Sequence, residues 1–211
     1  MALTSFALGA AFVKSADDAV KLQHSFRETT NLLTYGGEKA SEATRNVGKM
    51  QDDASKYSVR YGVSQRKIAD GYQELVKRGY DSNQALGAQK SLLQASIASG
   101  DDYSDVVHNA TTTLESFGMR AKTTSGMIKN TKTVVNQMAY ASDLTATDFQ
   151  SMGKAMEYVG ATAHLSGITL HETASSIGIL SNNGLEADKA GTGLRKALVS
   201  LQSLVKRQFR L

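Results

Sequence analysis

Proline is absent from all 211 residues of this chain, while eighteen glycines are spread along it. Without the proline ring, nothing removes a backbone donor from a helix interior or clashes with the turn before it. Long helices are therefore permitted throughout, and glycine becomes the punctuation. Gly36-Gly37, Gly62, Gly79, Gly100, Gly118, Gly160 and Gly184 each follow or separate a stretch of helical periodicity. A left-handed C-terminal cap is expected at such positions, because glycine takes that conformation without a Cβ penalty. Between these marks the apolar pattern predicts about nine helices, and the fold class is all-α.

The first two helices are long. Phe12, Ala16, Ala19, Gln23, Phe26, Thr30 and Leu33 recur at spacings of four and three, as do Ala40, Ala43, Val47, Met50, Ala54, Tyr57 and Tyr61. Both are heptad-like seams, weak because they are rich in alanine. Two adjacent glycines are costly inside a helix, so Gly36-Gly37 favours a turn and an antiparallel hairpin over one kinked rod. Such a hairpin leaves outer faces for neighbouring copies. Self-association is expected there, with Val47→Glu and Met50→Glu shifting the population toward monomer.

From Ser64 onward the helices shorten. Ser64 is a candidate N-cap for the stripe Ile68, Tyr72, Leu75 and Val76. Further stripes carry Leu86, Leu93 and Ile97, then Tyr103 to Phe117, then Met127 to Met138, then Phe149, Met152, Met156 and Val159. Thr169 and Glu172 have capping-box spacing ahead of Leu170, Ala174, Ile177 and Leu180. A last helix carries Leu194, Leu198, Leu201 and Val205. Phe149, Met156, Ile177, Leu180, Leu194 and Leu198 are expected to be buried together. A degenerate repeat is also suggested. A shift of 81 lays Ser64, Ile68, Leu75 and Gly79 on Thr145, Phe149, Met156 and Gly160, and a shift of 84 lays Gly100 and Leu114 on Gly184 and Leu198. The chain then divides into an N-terminal helical hairpin or coiled coil at 1–62, a multi-helix core at 63–202 built of two degenerate three-helix units, and a divergent tail at 203–211.

Charge and chemistry exclude more than they offer. The net charge is +4. After the last acid, Asp188, come Lys189, Arg195, Lys196, Lys206, Arg207 and Arg210, so the rest of the chain is net negative. A basic helix end of this kind opposes its own dipole, and nucleic acid is not an expected partner. The apolar start, Met1 to Val13, lacks a basic n-region and is too short to span a bilayer. With no cysteine there is no disulfide, thiolate ligand or thiol nucleophile. His24, His108, His164 and His171 stand in no metal-ligand spacing, and His164 and His171 need not share a helix face. Asp17-Asp18 and Asp52-Asp53 point about 100° apart on a helix and form no dyad. Asp101-Asp102 is read as a helix cap. Gly191-Thr192-Gly193 allows a phosphate nest but better fits a closely packed helix segment. No catalytic, cofactor or metal site is expected, and the chain reads as a non-enzyme.

One stretch goes beyond physical pattern. From Asp143 to Leu198 the chain carries Phe149, the Ala155–Tyr158 helix, Gly160-Ala161, Gly167-Ile168, Glu172-Thr173-Ala174, Ile177-Gly178, Asn183-Gly184 and the run Ala190-Gly191-Thr192-Gly193-Leu194-Arg195. This ordered set resembles the core region of phage tail tape measure proteins of the TP901 type, and the likeness covers roughly Ala16 to Leu201. The resemblance implies a structural protein of the virion tail, assembled in the host bacterial cytoplasm. It would act in several copies, with tail tube protein, tail assembly chaperones and distal tail or baseplate proteins as partners. In that family an extended helical polymer sets tail length, and the intact protein also aids DNA ejection. Family members are several times longer, and Ser203 to Leu211 departs from the pattern, so a truncated or prophage-derived fragment is expected. Even as a single helix the chain would reach only about 320 Å. The alternative reading is a bacterial helical interaction or signalling module without catalytic activity, which would not need the ordered core motifs. Circular dichroism should show strong helical minima. A strand-dominated spectrum would refute the fold class.

Overall fold

The computed structural model describes the backbone of residues 2–208 and the side chains of residues 17–205. Among the described residues there are nine α-helices and no strand. They are α1 (Ala2–Tyr35), α2 (Ala40–Tyr61), α3 (Gln65–Lys77), α4 (Ser82–Ser99), α5 (Tyr103–Ser116), α6 (Thr124–Asp143), α7 (Phe149–Leu165), α8 (Leu170–Asn182) and α9 (Ala187–Gln208).

Short polar side chains start most of these helices. Ser64, Asp102, Thr123, Asp148 and Thr169 each accept an N–H from the first turn of α3, α5, α6, α7 and α8, and Asp81 accepts the Gln84 N–H at the start of α4. Each satisfies a donor that the helix itself cannot. The capping box at Thr169 and Glu172 is complete in both directions. The two hydrogen bonds from Thr169 hold the exposed Glu172 carboxyl below its usual range.

Glycine ends them. Gly37, Gly79, Gly118, Gly167 and Gly184 are left-handed, and the residue after each donates its N–H to the carbonyl five residues back. This is the Schellman closure. Gly62 and Gly100 are also left-handed. The expected cap at Gly160 is corrected. Gly160 lies inside α7, and the helix runs on to Gly167. Small residues on both sides of Gly160 keep the apolar period intact, so the helix has no reason to stop there.

The chain forms two compact units, residues 1–86 and 87–211. In the first, α1, α2 and α3 pack on one another. The Ser25 hydroxyl donates to Asp70 at 2.9 Å, and Gln73 donates to Glu28 one turn further on, so α1 and α3 run parallel. Ala43, Val47, Met50 and Ala54 of α2 are buried in this unit. The seam expected to serve neighbouring copies is thus spent within the chain. Val47→Glu or Met50→Glu would put a charge into this core and unfold it instead of dissociating copies. Phe12 and Ala16 lie outside the residues whose side chains are described.

The second unit has two layers. In one, α5 packs on α7 and α7 on α9; in the other, α6 packs on α8. Side-chain contacts pair Asp105 with Gln150, and Asn109 with Gly153, so α5 and α7 are parallel. Gly191 with Ala155, and Gln202 with Ser166, make α9 parallel to α7 as well. Parallel neighbours need a helix between them to carry the chain back, and α6 and α8 are those helices. Tyr103, fully buried, donates to Gln89 at 2.6 Å, which satisfies both polar groups inside the unit.

Ser64 and Asp148 cap α3 and α7 at a spacing of 84, the same spacing that separates the left-handed Gly100 and Gly184. The expected match of Ser64 to Thr145 fails, because Thr145 closes α6 by donating to the Ala141 carbonyl at 2.7 Å. Of the six residues expected to be buried together, Phe149, Met156, Ile177 and Leu198 are buried, while Leu180 and Leu194 are half-buried. In α4 Leu93 is buried as expected and Leu86 half-buried, but Ile97 is exposed, and Ala88 and Leu92 join Leu93 in the core. Phe149→Ala should cost about 3–5 kcal/mol, read as a fall in the urea midpoint. A change below about half a kcal/mol would place Phe149 outside the core.

Candidate functional site

The residue types that carry catalysis are dispersed over this fold. His24 pairs with Glu28 on α1, and His108 on α5 pairs with Glu157 on α7 at 3.0 Å. Asp52 is exposed on α2, while Asp53 is half-buried and accepts a long 3.4 Å bond from the buried Tyr72. Asp102 caps α5. Among the described residues no three His, Asp or Glu side chains converge as metal ligands.

Tertiary structure does unite one pair that sequence spacing kept apart. The turn at Gly167 folds α8 back from α7, so His164 and His171 line one cavity of about 400 Å³ with Phe117, Gln137 and Thr169. His164 meets the Phe117 ring edge-on at 6.4 Å. The nearby Thr169 hydroxyl donates to the Glu172 carboxylate at 2.7 Å as part of the capping box of α8.

The organised feature of the second unit is its helix seam. α7 lies between α5 and α9, and small residues set both contacts. A Cβ on Gly153 would fall 2.3 Å from the Asn109 side chain, and one on Gly160 would fall 2.8 Å from Ser116 Cβ. These glycines are seven residues apart, two turns of one face of α7. Across the other seam, a Cβ on Gly191 would fall 2.6 Å from the Ala155 carbonyl oxygen and 2.9 Å from its Cα. That obstacle is backbone and cannot swing aside. Gly178 of α8 is similarly closed by Thr145. Gly191-Thr192-Gly193 lies inside α9 as regular helix, with Gly191 packed against Ala155 and Gly193 exposed. Each mid-helix glycine costs up to about 1 kcal/mol against alanine. Close backbone approach offsets that cost by restoring dispersion contacts across the seam.

Beyond the seam, α9 presents an open apolar face. Leu201 and Leu204 are each 58% exposed, and Leu165 at the end of α7 is 80% exposed. Leu165 and Leu201, with Ile168, Leu198 and Val205, border a groove of about 610 Å³. Arg195 and Lys196 are exposed on the same helix. Among the described residues no helix is long and apolar enough to cross a membrane.

Comparison with known proteins identifies what this seam belongs to. Residues 51–208 match the family of phage-related minor tail proteins. The match takes in every seam glycine and runs through α9 past Ser203. The chain is 30% identical over 181 residues to the tape measure protein of Pneumococcus phage Dp-1, covering 85% of this chain and 15% of that protein. It is 37% identical over 59 residues to the probable tape measure protein of Escherichia phage P2, covering 28% of this chain and 7% of that protein. The chain thus spans a small part of the curated relatives it matches. No solved structure matches it.

The two glycines of α9 should respond oppositely to alanine. Gly191→Ala should destabilise by about 1–3 kcal/mol through overpacking. Gly193, with nothing within 4 Å of a new Cβ, should gain up to about 1 kcal/mol from helix propensity. Denaturant midpoints compare them, and equal effects would refute the close seam.

Proposed function

Because the chain belongs to the phage-related minor tail protein family, we propose that it is the folded helical core of a tape measure protein, acting in tail assembly and tail-length determination. The observation that carries this reading is the glycine-closed seam of α5, α7 and α9, which falls within the family match. The role is structural, with no catalytic step and no cofactor. Its place is the virion tail. Its partners are further copies of itself, tail tube protein, tail assembly chaperones and distal tail or baseplate proteins. Aid to DNA ejection belongs to the intact protein and is not assigned to this region.

In this reading residues 1–62 are an N-terminal helical segment, 63–202 the kin-bearing core, and 203–211 a tail whose first part continues α9. Two degenerate units, α3–α4–α5 and α7–α8–α9, make up the core, and the spacing of 84 from Ser64 to Asp148 and from Gly100 to Gly184 supports this. A folded helical unit contributes far less length than the about 1.5 Å per residue of an extended helix. The region is therefore a folded organiser of assembly, and the ruler's length comes from elsewhere in the full protein.

An in-frame deletion of residues 63–202 from the parent tape measure gene tests this. Electron microscopy should find tails missing or misassembled. Normal tails shortened by about 210 Å, the length of that segment as a helix, would identify an extended rod. Normal tails of full length would refute the function altogether.

A further inference from the structure

We infer that the 84-residue repeat continues past α9, and that the face of α9 at Gly193, Ala197 and Leu201 receives the next helix of the α3 and α7 kind, from residues that follow this region in the full-length tape measure protein. This rests on the tape measure reading above, which supplies the longer chain. The spacing of 84 reaches beyond the caps. α2 starts at Ala40 and α6 at Thr124, α3 at Gln65 and α7 at Phe149, α5 at Tyr103 and α9 at Ala187. Contacts keep a common offset too. Ser25 of α1 donates to Asp70 of α3, and Glu28 accepts from Gln73, each pair 45 residues apart. Asp105 of α5 accepts from Gln150 of α7, also 45 residues on. α1 is therefore to α3 what α5 is to α7, and α9 is the next helix of the α1 and α5 kind.

One stripe shows what such a helix does. Ser25, Thr29 and Leu33 of α1 are buried, and 84 residues on so are Asn109, Thr113 and Phe117 of α5. The stripe faces the parallel neighbour. Ser25 bonds to Asp70, a Cβ on Gly153 would strike Asn109, and one on Gly160 would come within 3.2 Å of the Phe117 ring. A further 84 residues on stand Gly193, Ala197 and Leu201, again two short side chains and then a large apolar one. All three are exposed, Leu201 to 58%. A glycine inside a helix is destabilising in itself, yet Gly193 has nothing within 4 Å of a Cβ. The close neighbour that would use that space is the equivalent of α3 and α7. A second folded copy has none to offer, because Ala69, Tyr72 and Val76 of α3 and Gly153, Met156 and Gly160 of α7 are buried already. A longer parent chain does, and the matched region is only 15% of the phage Dp-1 protein. Lys196, exposed, stands where Glu28 stands on α1, so the incoming helix should carry an acid at the position of Gln73.

The absence of cysteine makes a direct test possible. Ala197→Cys and, on the opposite side of α9, Val199→Cys are labelled with a maleimide in this chain and in the full-length protein otherwise free of cysteine. In this chain the two should react at similar rates. In the full-length protein Ala197→Cys should react about tenfold or more slowly, while Val199→Cys keeps its rate. An Ala197→Cys that stays as reactive in the full-length protein overturns the inference. Equal protection of both positions overturns it as well, because a seam would cover one side only. Protection in this chain that grows with concentration assigns the face to a second copy and also overturns it. An open Ala197 refutes the continued repeat alone, whereas normal tails after deletion of residues 63–202 refute the tape measure role whatever the labelling shows.

Discussion

The second unit depends on how closely parallel helices can approach. Three helices of one layer, α5, α7 and α9, meet at points where a methyl group would strike a neighbour: Gly153 and Gly160 on the α5 side, Gly191 on the α9 side. At Gly191 the neighbour is the Ala155 backbone itself. A side chain there would move the whole of α9, and with it the register that brings Gln202 to Ser166. Large apolar residues fill the remaining space, with Phe149, Met152, Met156 and Val159 buried along α7. They supply the area-dependent stabilisation. The glycines decide at what distance it is collected.

A second set of glycines does a different job with the same residue. Gly37, Gly79, Gly118, Gly167 and Gly184 end helices in the left-handed conformation, and Gly118 also packs close to His164. After Gly79, Gly118 and Gly167 the side chains of Asp81, Thr123 and Thr169 cap the next helix within a few residues, so stops and starts are tied together locally. Such local closure lets a chain without proline or disulfides reverse direction repeatedly. It also keeps the connections short, which is what allows alternate helices to stack in parallel.

The histidines sit at helix ends or in exposed pairs, and Asp102 caps α5. Where the fold leaves something unfinished, it is apolar surface. The stack of α5, α7 and α9 stops with an open stripe on its last member.

Much was legible from the residues alone. Absent proline, glycine spacing and the three-four apolar period are local signals, and they were enough for the all-α class, the nine helices among the described residues, the caps at Ser64, Asp102 and Thr169, and most of the core of α7. The ordered motifs also pointed to the family. Burial partners were not legible, because they depend on residues far apart in the chain. Val47 and Met50 form a seam of the same period whether the seam faces another copy or α1 and α3, and only packing settled that it is internal. Gly160 and Gly167 are both glycines near the end of a helical pattern. Which one caps and which one packs depends on whether Ser116 lies across the way. The pairing of His164 with His171 and the open stripe at Leu201 and Leu204 follow from the same cause. Periodicity tells a helix which of its faces is apolar, but only the tertiary structure decides what covers that face and where the cover ends.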